Sequence, residues 1–173
     1  MATVSEYSVM SDQRAIEFQA LSFSYGDRQA LKDVSFDVGE GELFSLLGPN
    51  GSGKTTLFRL LSTLITPQQG ALSVFGKDVI DQAQQVRHDL GVVFQSPGVD
   101  GKLSVRENLA VQAVLYGLSK ADARTRIDEV CGQLGITDRL NDQVDELSGG
   151  LRRRVELAKS LLHRPRLLIM DEP

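Results

Sequence analysis

The sequence has little cysteine, no long apolar run and no excess of positive charge. Its single cysteine, Cys131, excludes an internal disulfide framework and suits a reducing cytosol. No apolar stretch approaches the ~20 residues that a membrane-spanning helix needs. The polar start, Met1 to Arg14, lacks the apolar core of a signal peptide. We therefore expect any membrane role to depend on a separate partner protein.

The charge balance is acidic, with 19 Lys and Arg against 23 Asp and Glu and a net charge of −4. Binding to a phosphate backbone relies on a positive surface, so we expect no nucleic-acid partner. Hydrophobic residues make up 41% and charged residues 24% of the 173 residues, which is typical of a folded globular domain.

Short apolar runs predict strands in the first half of the chain, at residues 15–23, 34–38, 43–47, 71–75 and 91–94. A glycine-rich loop follows the third run, and a helix is predicted from about Lys54 to Leu64, since Thr66-Pro67 marks its end. Strands that alternate with helices predict an α/β fold with a largely parallel sheet.

The pattern becomes mostly helical after Gln95. Ser104-Val105-Arg106-Glu107 fits a capping box and predicts a helix that starts at Ser104. The last apolar run, Leu167–Met170, follows Pro165 and predicts a buried strand. We expect a flexible lead-in over 1–14 and one domain over 15–173, with a helical insert at about 96–150.

The clearest motif lies between the predicted strand 43–47 and the helix that follows it. It is a complete G-x-x-x-x-G-K-[ST] and comprises Gly48, Pro49, Asn50, Gly51, Ser52, Gly53, Lys54 and Thr55. Glycines let the backbone close around phosphate oxygens, and the helix N-terminus adds partial positive charge. Lys54 would reach the β- and γ-phosphates, and Thr55 would offer a hydroxyl to Mg²⁺. The motif predicts nucleotide binding but leaves kinases and GTPases open.

Leu147-Ser148-Gly149-Gly150 narrows this choice because of its position in the chain. Alone, the tetrapeptide would only start a helix, with Ser148 as its cap. Here it lies far downstream of the glycine-rich loop and shortly before Asp171, which ends the strand 167–170. An aspartate at such a strand end can position Mg²⁺. The adjacent carboxylate, Glu172, can orient or deprotonate an attacking water.

Together these motifs resemble the ABC ATPase family over nearly all of residues 15–173. The resemblance implies a P-loop NTPase core with a mostly parallel sheet, an antiparallel β subdomain and a helical insert. It identifies Gly48–Thr55 as the Walker A loop, with Thr56 among the nucleotide contacts. Leu147–Gly150 is similar to the signature motif, and Leu168–Asp171 to the end of Walker B.

The resemblance also implies roles for single residues. Glu172 stands in the place of the catalytic glutamate. Gln95 matches the Q-loop glutamine, which contacts Mg²⁺ and the attacking water, and Asp171 matches the Mg²⁺ aspartate. Tyr25 stands where the family places an aromatic that stacks on adenine, although packing at a strand end would also explain it.

In the family, two ATPase subunits bind ATP head to tail, so that Ser148, Gly149 and Gly150 of one would face the γ-phosphate held by the other. Residues 93–109 and the arginine-rich start of the signature helix are similar to exporters of the daunorubicin-resistance type. This implies a motor subunit that uses ATP and Mg²⁺ at the cytoplasmic face of the cell membrane. Its partners would be a multi-spanning permease, contacted by residues 96–109, and a second ATPase subunit in a homodimer or heterodimer.

Two other hypotheses stay open, a soluble ABC ATPase of DNA repair or translation and an ATP-binding fragment without turnover. The interval from Gly48 to Ser148 contains neither heptads nor cysteine pairs, which speaks against the DNA-repair kind. Leu151 stands where the family often has glutamine. The sequence stops at Pro173, before the family's D-loop and switch histidine, so we expect this polypeptide to hydrolyse little ATP.

Overall fold

The computed structural model of the chain describes residues 3–4, 13–96 and 98–171. Most of the predicted lead-in, 1–14, and the predicted catalytic residue Glu172 therefore lie outside the described residues. The chain divides into two compact units, residues 1–87 and 88–173, which are taken in turn. Within the described part, no helix combines the length and the apolar character that crossing a membrane requires.

The first unit is built on an antiparallel sheet. Its strands and helix are β1 (Thr3–Val4), β2 (Arg14–Tyr25), β3 (Arg28–Gly39), β4 (Leu46–Leu47), α1 (Lys54–Leu61), β5 (Gln69–Val74) and β6 (Lys77–Asp78). The strand order of the sheet is β3-β2-β5-β6, while β1 and β4 form a separate antiparallel pair. A further helix, α2 (Ala83–Asp89), crosses the sequence boundary between the units.

The long β2–β3 hairpin follows from the alternation of apolar residues that the sequence shows. Phe18 of β2 pairs with Phe36 of β3, and their rings stack at 4.4 Å between centroids. Gly26, with φ 56°, supplies the left-handed backbone at the start of the two-residue turn. The turn places Tyr25 directly opposite Arg28.

The predicted buried strand at 43–47 is wrong in extent and in burial. Only Leu46–Leu47 form a strand, and Leu43 and Leu47 are 89% and 59% exposed. Phe44 stacks on Phe36 at 5.5 Å, so one face of the segment packs against the antiparallel sheet while the alternate residues face outward. A continuous apolar run predicts burial on both faces, but packing covers only one here.

The helix predicted to reach Leu64 ends at Leu61. Thr63 has φ 59°, a left-handed conformation that no helix continues through. The amides of Leu64 and Ile65 both turn back to the carbonyl of Arg59, which closes the helix end.

The second unit combines three helices with a parallel strand pair. Its elements are β7 (Leu90–Val93), α3 (Val105–Leu115), α4 (Lys120–Gln133), α5 (Gly149–Leu161) and β8 (Leu167–Met170), with 3₁₀ turns at Thr137–Arg139 and Val144–Glu146. The predicted capping box is confirmed, because Ser104 Oγ accepts from the Glu107 amide and the Glu107 carboxylate accepts from the Ser104 amide. The Ser104 hydroxyl and the Ser104 amide both donate to the Glu107 carboxylate, and these two bonds hold the pKa of Glu107 below its ordinary value.

Strands β7 and β8 pair in parallel, as the α/β prediction requires. In the described part of the chain, β7 and β8 form the parallel sheet, and more strands belong to the antiparallel sheets. The fold is therefore a mixed one in which the parallel pair belongs to the second unit.

The core of the second unit joins all three helices. Its buried residues are Val105, Leu109, Ile127, Val130, Cys131, Ile136, Leu140, Val144, Leu147, Val155, Ala158 and Leu162. A fully buried side chain of this kind contributes about 1.5–3 kcal/mol relative to an exposed one. The Cys131 thiol is buried in this cluster, and its desolvation raises its pKa to about 11.

Candidate functional site

The glycine-rich loop after β4 is shaped by two left-handed glycines. Gly51 has φ 82° and Gly53 has φ 96°, and Gly53 is the cap residue from which α1 begins. A Cβ at Gly53 would lie 2.7 Å from Leu31 Cδ2 and 2.9 Å from the Ala30 carbonyl oxygen. Since a side chain would collide with β3 there, only glycine lets the loop turn into the helix at this point.

Lys54 is folded back over this loop. Its Nζ donates to the carbonyls of Gly48 at 2.6 Å and Pro49 at 3.0 Å. An ammonium group carries three donors, so one remains for an incoming anion. The lysine therefore holds the loop in place and presents positive charge to it.

The loop also contains an unused polar atom. Ser52 Oγ is buried and has no hydrogen-bond partner within the described residues. Its amide donates to the Pro49 carbonyl at 3.2 Å, which makes the turn of the loop. An orphaned hydroxyl, a spare lysine donor and the start of an eight-residue helix all favour an anion. The loop thus fits the phosphates of a nucleotide.

The two threonines that follow differ in exposure. Thr55 is exposed at the start of α1, where its hydroxyl is accessible to a ligand, whereas Thr56 is only 6% exposed. Burial directs the Thr56 side chain into the first unit, so its possible contact with a nucleotide is through its backbone amide.

Tyr25 stands at the end of β2 with 44% of its surface exposed. Its ring meets the buried Phe23 edge-on, with centroids 4.9 Å apart. The side chain of Gln68 pairs with both backbone groups of Ser24, at 2.8 and 3.0 Å, and so fixes the strand just before Tyr25. The tyrosine is held on one edge and leaves ring surface available to a ligand.

In the second unit, two predicted site residues come together at the carboxyl edge of the parallel pair. Val93 of β7 lies opposite Met170 of β8, and the amide of Asp171 donates to the Val93 carbonyl at 3.0 Å. Gln95 follows β7 and is exposed. The carboxyl ends of parallel strands are where α/β proteins bind ligands.

No group of three or more His, Cys, Asp or Glu side chains in the described ranges is arranged to hold a metal ion.

Ser148 begins α5 as its cap residue. Its Oγ accepts from the Leu151 amide at 3.4 Å, and Gly149 and Gly150 form an exposed first turn. First-turn amides have no partner inside their own helix, so this turn can donate to an anion.

The three arginines that follow are occupied within the protein. Arg152 donates to the Leu147 and Asp145 carbonyls, and Arg154 to the Leu134 carbonyl. Arg153 donates to the Phe94 carbonyl at 2.9 Å, directly before Gln95.

Lys159, on the same helix, reaches the carbonyl of Gly98. Together with Arg153 it ties α5 to both sides of the segment that contains Gln95. Sequence patterns did not reveal either contact, because each joins residues about 60 positions apart.

Comparison with known families gives one family over most of the chain. The profile of a family described as "ABC transporter" matches residues 31–173. This range includes the glycine-rich loop, Gln95, the Ser148 turn and Asp171, while Tyr25 lies before it.

Curated relatives match over almost the whole chain. It is 38% identical to the Nod factor export ATP-binding protein I of Rhizobium etli, over 94% of this chain and 53% of that protein. It is 40% identical to the daunorubicin resistance ATP-binding protein DrrA3 of Streptomyces coeruleorubidus, over 92% of this chain and 50% of that protein. The chain thus spans about half the length of the curated relatives it matches.

Solved structures share the fold. The structure of cbiO1 from Clostridium perfringens, described as part of the ABC transporter complex cbiONQ, superposes with a TM-score of 0.82 at 28% identity, over 94% of this chain and 66% of that one. An ATP-binding subunit of an ABC transporter gives a TM-score of 0.79 at 30% identity, over 92% and 66%.

Proposed function

Because this chain belongs to the ABC transporter family, we propose that it is the ATP-binding part of the motor subunit of an ABC exporter. The observation that carries the proposal is the loop Gly48–Thr55, whose glycine conformations, spare lysine donor and orphaned serine hydroxyl fit phosphate. The names of two relatives, the Nod factor export and daunorubicin resistance ATP-binding proteins, favour export over the soluble alternatives.

The loop residues would hold the nucleotide by its phosphates. The backbone amides of Gly51 and of residues 53 to 56 would donate to phosphate oxygens, and Lys54 would add a charge-assisted hydrogen bond. Tyr25 would support the adenine on its exposed face. These contacts fix the phosphate chain at the N-terminus of α1, where the partial positive charge of the helix stabilises it.

A magnesium ion would neutralise charge on the phosphates. For it we propose oxygen donors on Thr55, Gln95 and Asp171, the hard ligands that Mg²⁺ prefers. Glu172, next to Asp171, would orient or deprotonate the attacking water.

The exporter would need two further proteins. Ser148, Gly149 and Gly150 would donate to the γ-phosphate of ATP held by a second ATPase subunit, identical or related. A permease would supply the membrane passage and hold this chain at the cytoplasmic face of the membrane. The helix α3 carries an apolar face suited to such a partner, formed by Val111, Val114 and Leu115, which are 53%, 73% and 74% exposed.

The test is nucleotide binding by a Lys54→Ala variant. Because Lys54 would make charge-assisted hydrogen bonds worth about 1.5–3 kcal/mol each, we expect its loss to weaken ATP affinity by about tenfold or more. Calorimetric titration with Mg-ATP gives the dissociation constants, and Lys32→Ala, an exposed lysine of β3, is the matched control. ATP affinity that is unchanged in a folded Lys54→Ala protein would refute the assignment.

A further inference from the structure

Arg28 is an exposed cation at the rim of the phosphate loop. It is the first residue of β3, immediately after the turn of the hairpin. A Cβ built on Gly51 would lie 3.5 Å from Arg28 Nη2, so the guanidinium lies against the backbone of the loop. This places a positive charge beside Gly51, in addition to Lys54.

The same arginine is linked to Tyr25 by strand register. Tyr25 and Arg28 are directly opposite partners across the β2–β3 hairpin. Opposed residues of an antiparallel pair project to the same face of the sheet. Arg28 therefore shares a face with the proposed adenine support and also lies near the loop proposed to hold the phosphates.

The guanidinium has no partner of its own. Within residues 13–96 and 98–171, the Arg28 side chain makes no hydrogen bond and no ion pair, whereas Arg14, on the same hairpin, is paired with Glu17 and Asp37. A guanidinium has five donors in a planar fork that matches phosphate geometry. Its charge is thus available to a ligand at the site.

We propose that Arg28 is a nucleotide-binding residue that contacts the phosphate nearest the adenosine, the α-phosphate. This inference rests on the proposed function, since it requires ATP in the Gly48–Thr55 loop. The adenine would lie on Tyr25 and the terminal phosphates beside Lys54. The α-phosphate lies between these two groups, so it is the negative group that the Arg28 guanidinium is placed to contact.

The experiment measures dissociation constants of the full chain for ATP, ADP, AMP and adenosine, by competition against a fluorescent ATP analogue. For Arg28→Ala we expect affinity for ATP, ADP and AMP to fall by about two- to fivefold, as for an accessible charge pair. Arg28→Glu should lose more, and Arg28→Lys should lose less because it keeps the charge without the fork. Adenosine affinity should stay unchanged in all three variants.

Lys32→Ala is the control, because it removes a positive charge from the same strand. It should leave all four dissociation constants unchanged. Wild-type affinities in both Arg28→Ala and Arg28→Glu would overturn the role of Arg28 and leave the proposed function intact. An adenosine loss equal to the ATP loss would overturn the assignment to phosphate. Wild-type protein that binds no ATP at all would overturn the proposed function and this inference together.

Discussion

Gly53 is a position at which the phosphate loop tolerates little change. Two costs combine there, because its φ of 96° disfavours any side chain and a Cβ would press on Leu31 and on the Ala30 carbonyl. The loop and the hairpin are in van der Waals contact at this point, so a change in either one is transmitted to the other.

A Gly53→Ala variant should therefore be less stable than a matched glycine variant. Gly41 also has a positive φ, 80°, but a Cβ there would meet nothing within 4 Å. We expect Gly41→Ala to cost about 1–2 kcal/mol of unfolding free energy from backbone strain alone. Gly53→Ala should cost about 1–3 kcal/mol more from overpacking. Urea denaturation measures both, and equal losses would show that contact with β3 does not constrain the loop.

For single residues, the motif positions could be predicted from the sequence, but the residues that contact them in the fold could not. The spacing of Gly48, Gly53 and Lys54 predicts a phosphate loop because that chemistry needs those residue types in that order. Arg28 gave no such signal. Its place beside Gly51 depends on how the phosphate loop packs against the hairpin, which brings together residues more than twenty positions apart, and no local pattern encodes it.

The N-termini of helices are predicted best from the sequence, because a helix cap is a local hydrogen-bond pattern. Ser104 and Ser148 were both predicted as cap residues, and both are. Helix and strand ends were predicted less well. The end of α1 at Leu61 depends on the conformation of Thr63, and the exposure of Leu43 depends on which faces other elements cover.

Two serine caps allow structure and function to be separated. Ser119 and Ser148 have the same backbone conformation, φ −63° and ψ 159°, and each accepts a hydrogen bond from the amide three residues on. Replacing either by alanine should cost about 1 kcal/mol of stability. Only Ser148→Ala should also weaken the Mg-ATP-dependent association of two chains, because only Ser148 would face a phosphate of the second subunit.

Urea denaturation gives the stability of each variant, and analytical ultracentrifugation with and without Mg-ATP gives its association. If Ser119→Ala weakened association as much as Ser148→Ala, the effect would come from helix stability and the head-to-tail contact would be refuted.

For the whole molecule, the exporter proposal predicts where the permease docks. Cysteines placed at Ser96, Val111 and Val114 in the full-length protein should cross-link to a co-expressed permease, because the first follows Gln95 and the others lie on the exposed apolar face of α3. Arg154→Cys, on the helix after the Ser148 turn, is the control and should not react with it. Cross-links from Arg154→Cys alone, seen as a mass shift on gels, would place the permease elsewhere.

The thiol of Cys131 should react slowly with thiol-specific spectroscopic labels. With a pKa of about 11, its thiol is ionised in only about one molecule in ten thousand at pH 7. An introduced surface cysteine of ordinary pKa, about 8.5, would supply on the order of 10²-fold more thiolate. Burial slows the native thiol further. A maleimide dye should therefore label one chosen position without removal of the native cysteine, so the proposed binding of ATP can be followed by fluorescence in the unaltered core.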